Sequence, residues 1–339
     1  MSSLNITVLD QSPAFIYTPD REGSSSSAWQ SSWTGSPDSS YDSKHVQPNI
    51  AQGSSSHFTS LAGATVQIQF MGTAVFIYGQ GTAGAYSTTL DGGQEVTGTP
   101  SGSALASYTD LSNTDKHTIL LKVTVAQTLS LSYATFTIDS AVQPNAVVNQ
   151  TQTAVTLGAN NTPFTNAFFT TSGTGPFNND HSDQNYTRLD TSASDSTFSF
   201  AFTNTSVVFV YGTSNYDHQT FSVELDPPVG VSQGARIFNA TSKWFVLGNL
   251  IYWESGLDQS QKYQVKITNL NSGSYTDIHS VVMMTLPSAE FDIRFSIVEC
   301  GYSSPISGIL LLYRLSQPHQ RKPPPTQPPR HRSPSVAVL

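Results

Sequence analysis

The clearest signal in the chain is alternation. Val66, Ile68 and Phe70 alternate with Gln67 and Gln69, and Phe198, Phe200 and Phe202 alternate with Ser199, Ala201 and Thr203. Period two marks a strand with one buried and one wet face. In both places the next run is apolar on both faces: Val75 and Ile77 against Phe76 and Tyr78, then Val208 and Val210 against Phe209 and Tyr211. Such a run predicts a central strand covered on both sides, ended by Gly79 and Gly212.

The two places spell nearly the same phrase, FMGTAVFIYG at 70–79 and FTNTSVVFVYG at 202–212. Each is followed by an apolar run ending in Leu-Asp, at Tyr86–Asp91 and Phe221–Asp226. Further on, Tyr108–Leu111 with the strand Thr118–Thr124 matches Trp253–Leu257 with Gln264–Thr268, and closing strands follow at Leu129–Ile138 and Asp277–Leu286. An internal repeat of this size predicts one domain written twice. The expected domains are 4–140 and 146–287, joined by Ala141–Asn145, with a separate tail at 288–339. No amphipathic helix of ordinary length is legible, and Gly, Ser, Asn and Pro turns separate many short runs. The predicted fold is therefore all-β: two tandem β-sandwich domains of jelly-roll type and a disordered C-terminal tail.

Composition narrows this further. Only 11% of the 339 residues are charged and the formal net charge is -8. Residues 1–286 hold 9 Lys/Arg against 20 Asp/Glu, whereas 287–339 hold 6 against 3. So acidic a body argues against a nucleic-acid partner, which needs clustered Lys and Arg. The single cysteine, Cys300, excludes an intramolecular disulfide. The chain begins Met-Ser-Ser with no leader pattern, which leaves a cytoplasmic chain or a missing first exon as readings. The longest apolar run, Ile306–Leu312, is far shorter than the roughly 20 residues of a membrane span, so none is expected. Sequons occur at Asn5, Asn149, Asn160, Asn185, Asn204 and Asn239, candidate glycosylation sites in about the number chance provides.

The order F-x-G-T-x-V-x-x-Y-G, then a hairpin ending in Leu-Asp-Gly or Leu-Asp-Pro, then L-x-x-x-x-K-H and a strand, resembles the galactose-binding-like jelly roll. In particular it is similar to the tandem copies in cell-surface proteins of basidiomycete fungi. The likeness covers residues 4–287. It implies an extracellular or cell-surface protein anchored by a transmembrane helix, although this chain shows neither the leader nor the span that such relatives carry.

No G-x-S-x-G, H-E-x-x-H, P-loop or G-x-G-x-x-G occurs, so no catalytic residue and no cofactor is expected. Asp91 and Asp226 hold the same place in both copies, but Asp-Gly and Asp-Pro-Pro read as turns rather than as an acid/base pair. Asp180 and Asp183, in what reads as a polar loop from Asn178 to Asn185, are weak calcium candidates. His181 lacks the second nitrogen or sulfur ligand that zinc needs.

Aromatic residues are the better lead. Trp29, Trp33 and Tyr41 lie in a Ser-rich stretch without a strand pattern, and Tyr216 and His218 flank Asp217 in a loop. Rings at a sandwich rim stack on sugar faces while polar neighbours fix orientation; the competing reading is that such large rings are core. Trp244 and Trp253 read as core. The tail carries Pro325-x-x-Pro328-x-Arg330, the form of a polyproline ligand. The expected function is a non-catalytic surface module that binds glycans or cell-wall polysaccharide through rim loops. The alternatives are a glycosylated spacer and an accessory jelly roll of a carbohydrate esterase.

Overall fold

The structure, a computed structural model, describes residues 2–46, 49–140, 147–183, 186–230 and 234–286. The tail, Cys300, the sequon at Asn185 and the link 141–145 lie outside the described residues. Among these residues the regular structure is all strand, with two single 3-10 turns at Asp38–Ser40 and Ala159–Asn161.

The first sandwich is built from β1 (Ser2–Leu9), β2 (Ile16–Thr18), β3 (Gln30–Trp33), β4 (Ser55–Thr59), β5 (Thr65–Met71), β6 (Ala74–Gln80), β7 (Tyr86–Leu90), β8 (Val96–Thr97), β9 (Ala104–Tyr108), β10 (Lys116–Val123) and β11 (Leu129–Ser140). The second is built from β12 (Val148–Thr153), β13 (Val155–Leu157), β14 (Pro163–Thr165), β15 (Thr170–Ser172), β16 (Asn178–Asp183), β17 (Tyr186–Thr191), β18 (Thr197–Phe202), β19 (Val207–Ser214), β20 (Thr220–Asp226), β21 (Arg236–Asn239), β22 (Val246–Glu254), β23 (Tyr263–Asn269), β24 (Thr276–Ile278) and β25 (Ser280–Thr285).

The strand orders correspond. One sheet runs β2-β5-β10-β7-β8 in the first sandwich and β15-β18-β23-β20-β21 in the second. The opposing sheet runs β3-β4-β11-β6-β9 with β1 also on β11; its counterparts are β12-β25-β19-β22 and β16-β17-β24. The long β11 is thus matched by β24 and β25, two short strands either side of His279.

Alternation produces these sheets as expected. Val66, Ile68 and Phe70 are buried on β5, as are Phe198, Phe200 and Phe202 on β18, with their polar neighbours facing out. Gly79 and Gly212 do not end their strands; β6 continues to Gln80 and β19 to Ser214. Their role is close approach. A Cβ on Gly79 would lie 1.9 Å from the Ser130 carbonyl oxygen, and one on Gly212 would lie 2.5 Å from that of Asp277. The same clash at the same place makes Ser130 and Asp277 equivalent positions.

The structure also supplies strands that the sequence reading lacks. Gln30–Trp33 is a strand, because Ser31 and Trp33 alternate inward over only four residues, too few for a visible period. Asn178–Asp183 is a strand rather than a loop; it is the outer member of its sheet, half solvated, so its composition is polar. Register also moves one pairing. Val75 faces Tyr108 while Val208 faces Glu254, so Tyr108 is matched by Glu254 and not by Trp253.

The two sandwiches share a core and belong to one compact body. Val207 and Phe209 on β19 and Trp253 on β22 join the first sandwich's hydrophobic cluster, with the Trp253 ring 4.9 Å from Phe136. Polar bonds frame this contact. Asn249 Nδ2 donates to the Gln11 carbonyl at 2.8 Å, Arg21 Nη1 to that of Asn239 at 2.8 Å, and Ser255 Oγ to that of Met71 at 2.8 Å. Lys116 pairs with Glu254 at 3.3 Å. No helix among the described residues is long and apolar enough to cross a membrane.

Candidate functional site

A cleft of about 600 Å³ lies where the second sandwich's outer sheet face meets a loop of the first. Its floor follows from strand periodicity. On β17, Leu189 turns into the core, so Arg188 and Asp190 on either side turn outward. Register sets Asp190 between Asn178 of β16 and Asp277 of β24. Asn178 Nδ2 donates to Asp190 Oδ1 at 2.9 Å.

Arg188 organises one side. Its guanidinium lies 2.5 Å from Asp180, 2.7 Å from Asp183 and 3.8 Å from Asp277, and it stacks 5.4 Å from the centre of the Phe245 ring. Burial alone would lower the Arg188 pKa, but the Asp277 charge and the two other carboxylates raise it. Asp180 and Asp183 therefore face a guanidinium where the calcium reading would put an ion. Among the described residues no group of three or more His, Cys, Asp or Glu is arranged to hold a metal.

His218 organises the other side. Its Nδ1 donates to Asp217 at 2.9 Å and its Nε2 lies 3.1 Å from Asp277 and 2.8 Å from Thr213 Oγ1. Thr213 in turn donates both its hydroxyl and its backbone amide to Asp277. Burial would push the imidazole down; hydrogen bonds to two carboxylates overcome this and lift it to about 9, so it is cationic at neutral pH. Burial likewise would raise Asp277, yet His218, Thr213 and Arg188 hold it below the usual carboxylate range. Asp190 has weaker support: burial, with the charge of Asp277 adding to it, raises it to about 6.

The mouth is aromatic. Tyr216 is 45% exposed and lies flat on His45, with ring centres 3.5 Å apart and planes 4° apart. Tyr275 is 38% exposed on the same cleft. His45 comes from the first sandwich, on a segment fixed by Lys243–Asp38 at 2.9 Å and by paired backbone bonds of Phe245 with Asn49 and Ala51. One wall thus exists only because the sandwiches are docked.

The sequence-selected residues separate clearly. Tyr216 and His218 line the cleft, as do Asp180 and Asp183. Tyr41 stands behind it, edge-on to Trp244 at 5.3 Å and to His45 at 5.9 Å. Trp29 does not face solvent: it is fully buried, and its Nε1 donates to the carbonyls of Thr18 and Thr65. Trp33 packs with Trp244 and Val246 between the sandwiches. Both tryptophans are core rather than rim, since rings of that size contribute most when covered. Trp244 and Trp253 are buried too. Asp91 sits in its hairpin turn at φ 51°, bonded to His117, and Asp226 is exposed at the end of β20. The sequon asparagines Asn5, Asn149, Asn160, Asn204 and Asn239 are all exposed.

Sequence reasoning missed Arg188, Asp190, Asp277, His45 and Tyr275. A signal existed for three of them: Arg188-Leu-Asp190 alternates charge with an apolar residue, and Asp277 opens a closing strand that holds no other formal charge. Nothing local marks His45 or Tyr275.

No protein-family model and no curated protein matches the chain. Among solved structures, a family two carbohydrate esterase from Cellvibrio japonicus is similar over 42% of this chain and 36% of its own, at 10% identity and a TM-score of 0.25. A fucolectin from striped bass (Morone saxatilis) serum covers 80% of this chain and 90% of its own, at 6% and 0.21. The tandem CBM22-1–CBM22-2 domain of Paenibacillus barcinonensis Xyn10C covers 70% and 80%, at 11% and 0.18. This chain spans 36% of the esterase, 24% of a Paenibacillus xanthan lyase and 26% of an insecticidal crystal protein, Cry2Aa. Likenesses this distant say nothing about what the chain binds.

Proposed function

We propose that the protein is a non-catalytic, cell-surface binding module whose ligand is a carbohydrate held in the cleft between the two sandwiches. The observation that carries this reading is Tyr216, an exposed ring braced flat against His45 over a floor of fixed polar groups. A ring of this kind offers an apolar face to a sugar, while Asn178, Asp180, Asp183 and Asp217 offer hydrogen bonds to its hydroxyls. The cleft size suits one or two sugar rings. Support for a non-catalytic role comes from the carboxylates themselves. Asp180, Asp183 and Asp277 are engaged by Arg188 or His218, whereas glycoside hydrolysis needs two carboxylates facing each other across the bond.

Glycan-array screening followed by calorimetry tests this. The wild type is expected to bind a subset of saccharides, and Tyr216→Ala to weaken binding about fivefold or more, since a stacked ring is worth on the order of 1 kcal/mol or more. Tyr216 is half exposed but stacked on His45, so the variant should lose about 0.5–1.5 kcal/mol of stability and stay folded. An array without binders, and no change in tyrosine or tryptophan fluorescence on titration, would favour the spacer reading. Release of reducing ends by the purified chain would overturn the non-catalytic part.

A further inference from the structure

Charge in the cleft is out of balance. Five carboxylates line it, those of Asp180, Asp183, Asp190, Asp217 and Asp277. They meet two cations, Arg188 and the protonated His218. Arg188 is spent on Asp180, Asp183 and Asp277, and His218 on Asp217 and Asp277. Asp190 has only an amide, Asn178, as hydrogen-bond partner among the described residues. Burial raises its pKa to about 6, with the charges of Asp277 and Asp180 adding to the rise and Asn178 and the Arg188 charge opposing it. On Asp217, Oδ1 faces His218, and Oδ2 makes no hydrogen bond or ion pair among the described residues.

An acidic cluster by itself would be a solvated surface. Here it forms the floor of a cleft walled by Tyr216, stacked on His45 of the first sandwich, and by Tyr275. Low-dielectric walls concentrate the field of the floor inside the cleft. Exposed tyrosine faces add to it, because their negative π clouds attract cations as well as apolar sugar faces.

We infer that the saccharide taken here is cationic: a hexosamine with a free, protonated amine, whose ammonium group settles near Asp190 and Asp217 while its ring lies against Tyr216. This inference rests on the carbohydrate reading above and names the ligand class of the same cleft. An N-acetylated sugar would leave the floor's excess charge unmet, and an acidic sugar would be repelled.

The test is calorimetric titration of the full chain with three oligosaccharides of equal length: glucosamine, N-acetylglucosamine and glucose oligomers. Ethanolamine serves as an amine without a sugar. Glucosamine oligomers are expected to bind about tenfold tighter than the two neutral series, the worth of one well-placed charge contact. The preference should shrink severalfold between about 20 and 300 mM salt, as screening requires. Asp190→Asn, an isosteric change, should reduce it about threefold or more without weakening the neutral series, whereas Asp217→Asn should reduce it and weaken the neutral series as well. If all three series bind equally and Tyr216→Ala abolishes all of them, the inference fails and the carbohydrate reading stands. If ethanolamine binds as tightly as the glucosamine oligomers and Tyr216→Ala changes nothing, the carbohydrate reading fails along with the amino-sugar assignment. Preference for an N-acetylated or uronic-acid oligomer overturns the inference outright.

Discussion

The two sandwiches share a strand order and a repeated phrase, yet they differ on the outer face of one sheet. In the first, Phe76 of β6 faces Ser107 and both look toward solvent, half-buried and exposed respectively. In the second, Phe209 of β19 faces Trp253, and both are buried against the first sandwich. Farther along the same sheet, the row Gln30, Phe58 and Ser130 of the first becomes Asn178, Asp190 and Asp277 of the second. One sandwich therefore supplies the cleft's floor and the other one of its walls. The inward faces are constrained by packing in both, whereas the outward faces are free to diverge.

The comparison breaks most sharply at the repeated phenylalanine. Phe209→Ala should cost about 3–5 kcal/mol, because it opens a cavity in a shared core, whereas Phe76→Ala at a half-buried position should cost about 1–2 kcal/mol. Urea denaturation of the two variants measures both. Equal losses would mean that the second outer face is no better packed than the first.

The next effect is a pH dependence that only the second sandwich can supply. His218 is lifted from an ordinary value of about 6.5 to about 9, so its stabilisation is fully present below about pH 6.5 and is lost as pH rises through 9. The loss should be on the order of 2–3 kcal/mol, read from thermal or urea melts at pH 6, 7.5 and 9. His218→Gln should be less stable at pH 6 and should show a flatter profile over this range. A variant with the same slope as the wild type would refute the cationic imidazole.

Asp190 gives the smallest of the three effects, of opposite sign. A carboxyl raised to about 6 stabilises while protonated, and that contribution is lost as pH rises through 6. Asp190→Asn should accordingly raise stability at pH 7.5 by about 1–2 kcal/mol and leave it nearly unchanged at pH 4. Phe58, at the equivalent place, holds no charge to remove. A variant destabilised at pH 7.5 would show that Asp190 is a structural partner rather than a group held in waiting.

Much of the framework was legible before any coordinates. Alternation of Phe198, Phe200 and Phe202, or of Val66, Ile68 and Phe70, needs only the period of a strand, and the doubled phrase announces a doubled fold. The site was legible in fragments. Tyr216 and His218 stood out because aromatic and titratable residues beside Asp217 are conspicuous in a loop. Trp29 and Trp33 stood out for the same reason and mislead, because composition cannot say which side of a ring is covered. The polar run at Asn178–Asp183 looked like a loop because half of an edge strand is wet.

The sequence alone determined where the regular, alternating strands lie and which of their sides turns inward, since both follow from local periodicity; which strands pair, and in what register, was set by the tertiary structure. Only the tertiary structure decided the use of the outward sides. Docking of the sandwiches buries Phe209 and Trp253. It also brings His45 of one half against Tyr216 of the other, residues 171 positions apart in the chain. Arg188 and His218 meet the same Asp277 from different strands and loops. Such meetings are long-range and are set by the shape of a shared interface, which no local pattern encodes.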